Sequence, residues 1–168
     1  FKPYTIKEMN GVKFGLLGIV DFDLKNKLPN NKIKGISLVG IKESLEHWIP
    51  IIDSLSDITI ILTSTGVPYD REKVYNDFIV HLNGYNHNIS EKHDKLNAIE
   101  MGYFAKGVDI IVSGGVSKGY NLPWVDPNNG VIILQNYGNG TSFGHIILNI
   151  ADKMYFFSEI GISKVLTF

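Results

Sequence analysis

The stretch Asp109-Ile110-Ile111-Val112-Ser113-Gly114-Gly115-Val116-Ser117-Lys118-Gly119 holds the residues best placed to meet a ligand. An apolar run rich in Ile and Val predicts a strand buried on both faces. The glycines after it let the backbone turn tightly and come close to another group. In α/β domains, ligands sit on loops that leave the C-terminal ends of strands. Tyr120 and Trp124 flank Pro123 just beyond, where their rings either stack on a base or sugar or cover an edge of the fold. Asp21 and Asp23 bracket Phe22 past an earlier strand. Two carboxylates there suit cation binding or acid–base work, and equally suit a solvated turn. His81, His87 and His93 are six residues apart, a spacing that follows neither a helix face nor a strand face, so they read as surface histidines rather than metal ligands. His47 falls in a helix beside Trp48, and His145 in a strand after Gly144.

Positioning these residues takes a fold with a core. The chain has 168 residues, 44% hydrophobic and 20% charged, which predicts one globular domain. A formal net charge of -1 gives no basic surplus for nucleic acid or an acidic membrane. No apolar run approaches the roughly 20 residues of a membrane helix. With no cysteine, disulfides, thiolate metal sites and cysteine nucleophiles are excluded. The chain opens on Phe1 rather than Met, as a cut or processed piece would.

Residues 1–10 read as an opening strand or linker, turning at Asn10-Gly11 into a strand over 12–20. Residues 24–34 read as a polar loop. Val39, Leu45, Trp48, Ile49, Ile52 and Leu55 form one stripe of a helix over 37–55, which Pro50 should kink or split near Trp48. Residues 57–63 predict a buried strand, and 71–82 a helix with Val74, Phe78 and Leu82 on one side. Ser90 suits the N-cap of a helix over 91–106, closed by Gly107. Strands follow at 109–112, 131–135, 143–150, 154–158 and 162–168. The sum is a mixed sheet with helices packed on it, not a pure doubly wound fold.

Together, Asn10 to Gly18, Asp57 to Gly66, Gly107 to Gly115 and Val131 to Gly144 resemble, in order and spacing, the second half of the metallophosphoesterase (calcineurin-like phosphoesterase) domain. The nearest branch is that of the 5′-nucleotidases and 2′,3′-cyclic-nucleotide phosphodiesterases. The resemblance implies an α/β (α+β) fold, an αββα sandwich or the second half of one. It also implies hydrolysis of nucleotide phosphate esters by two divalent metals (Mn, Zn or Fe) that activate a bridging water. It suggests a periplasmic or extracellular location.

Measured against that family, three histidine-ligand positions are substituted, by Ser64, Val116 and Lys118. An isopropyl group has no lone pair, an ammonium repels a dication, and a hydroxyl is a poor transition-metal ligand beside imidazole. No dinuclear site, and so no cofactor, is expected from this chain's own residues. If the loops keep the family geometry, Lys118 stands where a metal would, and Ser64, Ser117 and the amides of Gly114 and Gly115 cradle an anion; otherwise Lys118 is a solvated loop residue. Three readings follow: a non-catalytic domain of nucleotidase type, an active phosphohydrolase completed by a missing N-terminal segment or a partner chain, or an anion- or nucleotide-binding module.

Overall fold

A computed structural model describes residues 2–84, 93–151 and 154–164. Strand β1 (Tyr4–Met9) turns at Asn10 and Gly11 into β2 (Val12–Ile19), pairing Met9 with Val12. Both turn residues have positive φ, 52° and 80°, as a two-residue hairpin with right-handed strand twist requires. Two single-turn helices follow, α1 (Leu24–Lys27) and α2 (Asn30–Ile33), where the sequence predicts only a loop. Next come α3 (Ile41–Asp53), β3 (Ile58–Thr63), α4 (Arg71–Gly84) and α5 (Ala98–Phe104). The rest is β4 (Ile110–Ser113), β5 (Trp124–Val125), β6 (Ile132–Gln135), β7 (Ser142–Ala151) and β8 (Met154–Lys164).

Six strands form one sheet in the order β1-β2-β3-β4-β6-β5. The four central strands are parallel and the two edge strands antiparallel. This is the mixed α/β sheet expected. Its two faces differ. On one, the register row Leu17, Ile61, Ile111 and Ile133 meets Leu45, Ile49 and Ile52 of α3, Phe78 of α4 and Ile99 and Met101 of α5 in a single buried cluster. On the other, Ile110, Ile132 and Leu134 meet only Ile60 and Ile146. Ile146 belongs to the separate β7–β8 hairpin, which is antiparallel with a bulge at Ile147/Leu148. Leu62 and Val112, paired in register on that same face, are 47% and 39% exposed.

Several boundaries depart from the sequence reading for identifiable reasons. Helix α3 starts at Ile41 because the amides of Ile41 and Lys42 find carbonyl partners on Asp94 and His93 (3.1 and 3.2 Å). Val39 and Leu55, outside its ends, are exposed. Pro50 does not split α3: the helix runs on through it to Asp53, and the Ser54 amide donates to the Pro50 carbonyl (3.3 Å). Helix α5 does not begin after Ser90, which lies outside the described residues. It begins at a capping box: Asn97 Oδ1 accepts from the amides of Ile99 and Glu100, and Glu100 Oε2 accepts from that of Asn97. The two closing strands are one strand, β8, as far as Lys164; residues 165–168 are outside the description. No helix among the described residues is long and apolar enough to cross a membrane.

Candidate functional site

The loops after β2, β3, β4 and β6 converge at the C-terminal end of the parallel strands. The Asp21 amide donates to Ser64 Oγ (3.4 Å), which ties the first loop to the second. Gly114 N–H donates to the Thr63 carbonyl (2.9 Å), and Gly115 lies at φ 87° against the Ser64 backbone. A Cβ on Gly115 would stand 2.1 Å from the Ser64 carbonyl oxygen, so only glycine lets these loops touch. A Cβ on Gly66 would meet Val116 at 2.9 Å. Gly138 N–H donates to the Ser117 carbonyl (2.9 Å), joining the third loop to the fourth.

Gln135, at the end of β6 and 3% exposed, locks the arrangement from below. Its Oε1 accepts from Val67 N–H at 2.7 Å, and its Nε2 donates to the Lys118 carbonyl. Its own carbonyl accepts from Tyr120 N–H (3.1 Å). One carboxamide therefore fixes the β3 loop against the glycine loop. Sequence reasoning does not single out Gln135, whose only signal there is a polar residue closing an apolar strand.

Lys118 is exposed, with its ammonium over two rings. Its ammonium lies 4.4 Å from the Tyr69 ring centroid and 5.6 Å from that of Tyr120. The guanidinium of Arg71, the first residue of α4, lies 4.5 Å from the same Tyr120 ring and 6.0 Å from Trp124, and donates to the Leu122 carbonyl (3.0 Å). Trp124 leans on Tyr75 (5.5 Å) and belongs to the edge of the core, with its buried indole N–H unpartnered. Of the two readings for Trp124, covering an edge fits this placement. Tyr120 donates its hydroxyl to the Pro68 carbonyl, and burial pushes its pKa up.

Asp21 and Asp23 are both paired. Asp21 meets Lys27, which holds its carboxyl below the usual range, and Asp23 meets Lys95. His47 is exposed at the edge of Trp48, His93 packs among Phe78 and Phe104, and His87 lies outside the described residues. His81 is in the last turn of α4 and His145 in β7. Among the described residues no group of three or more His, Cys, Asp or Glu is gathered where it could hold a metal ion.

No protein-family model matches the sequence, and no curated protein matches it. Solved structures do. A protein assigned as a 5′-nucleotidase from Staphylococcus aureus, solved with α-ketoglutarate, superposes with a TM-score of 0.71 at 13% identity over 99% of this chain. The sulfate thiohydrolase SoxB of Thermus thermophilus gives 0.63 at 14% over 98%, and the NAD nucleotidase NadN of Haemophilus influenzae 0.57 at 12% over 95%. The chain shares its fold with the corresponding part of these three proteins. The chain spans only 30%, 25% and 26% of the length of these three. Within this fold, Ser64 and Val116 sit on the two loops that Gly66 and Gly115 press together, and the Lys118 ammonium lies over Tyr69 and Tyr120.

Proposed function

We propose that this chain is a nucleotidase-type metallophosphoesterase domain that does not hydrolyse phosphate esters by itself. The observation that carries this reading is the chemistry of the loop contact. Where the resemblance places imidazoles, the converging loops offer Ser64, whose hydroxyl oxygen already accepts a backbone N–H, and Val116, which has no donor atom. Lys118, the third position, brings positive charge and engages aromatic rings. This donor set does not fit a pair of dications. The domain keeps its strands and loops without a dinuclear centre of its own.

The test is turnover of a chromogenic phosphate ester and of nucleoside monophosphates, with Mn or Zn supplied. The expected result is no release of phosphate above the metal-only control. Phosphate release by this chain that a chelator abolishes overturns the reading.

A second reading, anion or nucleotide binding without hydrolysis, is favoured by Arg71 and Lys118. Both lie over aromatic rings, and neither has a carboxylate partner among the described residues. Calorimetry with nucleoside monophosphates checks it.

A further inference from the structure

We propose that Tyr69, Lys118, Tyr120 and Arg71 form a binding site for a planar anion, a molecule carrying both an aromatic ring and a phosphate or carboxylate. The site lies beside the loop contact of Ser64 and Val116. The inference rests on the binding reading above and joins Tyr69 and Arg71 to Lys118 and Tyr120, which the sequence already singled out.

Lys118 and Arg71 come from different segments, yet both stand within 6 Å of one ring, that of Tyr120. Like charges so placed repel, and elsewhere on this surface lysines find acids: Lys27 with Asp21, Lys73 with Asp77, Lys95 with Asp23. Among the described residues no acid closes the pair. Asp70, the carboxylate between Tyr69 and Arg71 in the chain, turns its Oδ1 to the Lys73 amide at the start of α4. The cations are held by ring faces instead, an attraction that leaves their charge uncancelled and, apart from the N–H that Arg71 gives to the Leu122 carbonyl, their N–H groups without a protein acceptor among the described residues.

The second element is the ring on the outside. Tyr69 is 81% exposed, by far the most exposed aromatic side chain in the described structure, and Lys118 lies against it. A large apolar ring left in water beside an unpaired cation suits a ligand that stacks on the ring and places its anionic group on the ammonium.

The third element is preorganisation. The Tyr120 hydroxyl is anchored on the Pro68 carbonyl, Arg71 on the Leu122 carbonyl, and the Lys118 backbone on the Gln135 carboxamide. The rings and the guanidinium are in place before a ligand arrives, which lowers the ordering cost of binding.

Isothermal titration calorimetry on the full chain at low salt tests this with three probes: adenosine monophosphate, adenosine and inorganic phosphate. The monophosphate is expected to bind more tightly than either fragment, because it alone uses both ring and cation. Tyr69→Ala and Lys118→Gln should each weaken it by about fivefold or more. Raising the salt should weaken the native chain and should affect Lys118→Gln less. Lys73→Gln, which removes an exposed lysine already paired with Asp77, should leave binding unchanged.

Equal affinity for monophosphate in the native chain and in both site variants overturns the proposal while leaving binding itself intact. No heat with any probe overturns both the site and the binding reading, and leaves the absence of hydrolysis to its own assay. Thermal melts of the variants, exposed as these side chains are, establish that each is folded.

Discussion

Replacing Gln135 by leucine should loosen the candidate site from beneath. Leucine approximates the volume of the carboxamide side chain, so the change deletes hydrogen bonds with little loss of packing. Val67 is 6% exposed, and its amide would lose the 2.7 Å bond to Gln135 Oε1 with little access to water. An orphaned buried N–H costs about 1–3 kcal/mol. The Lys118 carbonyl loses its bond from Nε2, but Lys118 is exposed and water can replace the donor. That bond contributes its net worth only, about 0.5–1.5 kcal/mol. The expected loss is therefore about 2–4 kcal/mol, or roughly 4–16 °C in melting temperature for a chain of this size. Urea unfolding followed by far-UV circular dichroism at neutral pH measures it. Gln135→Glu sharpens the test, since it keeps the acceptor for Val67 but buries a charge and removes the donor. Burial raises the pKa of the introduced carboxyl in the folded state, so this variant should lose most at neutral pH and recover part of the loss in acid. A loss below about 0.5 kcal/mol for the leucine variant would refute the idea that this carboxamide holds the two loops together.

Three other perturbations follow from the same geometry. Gly115→Ala places a Cβ 2.1 Å from the Ser64 carbonyl oxygen at φ 87°, and should destabilise by more than about 2 kcal/mol or prevent folding, read by the same unfolding curves. Asn97→Ala removes half of the α5 capping box and should cost about 1 kcal/mol in the same assay; an unchanged midpoint would mean the cap is not formed in solution. Asp126 is 1% exposed; its Oδ1 accepts from the amides of Asn128 and Asn129, its Oδ2 has no partner, and burial raises its pKa. A carboxyl whose folded pKa lies above its unfolded value loses stability as pH rises through the window between them. Asp126→Asn should flatten that fall above the ordinary carboxylate range, measured as urea midpoints from about pH 4 upward.

The sheet is legible in the sequence because its signal is local. Four apolar runs bounded by turn residues mark β2, β3, β4 and β6, and Asn10-Gly11 marks the first hairpin with its register. Helix ends are less legible because their hydrogen-bond partners come from elsewhere: α3 starts where the carbonyls of His93 and Asp94 reach it, some fifty residues away in the chain. Strand β5 escapes notice because two residues carry no periodicity, and α1 and α2 because a single turn has no stripe. The glycine loop stands out, yet its meaning depends on partners that no spacing reveals. Gln135 bonds to Val67 across a separation of 68 residues, and Lys118 meets Tyr69, which lies on the loop after β3.

Among the described residues the sheet has helices on one side and a hairpin on the other, with Leu62 and Val112 left in water. Anything that settles on the bare side, a second copy included, binds the folded chain and not the unfolded one, and so lifts its apparent stability by mass action. Were a second copy to settle there, the melting midpoint would climb with the chain's own concentration, and a value taken at one dilution would describe a population rather than a solitary molecule.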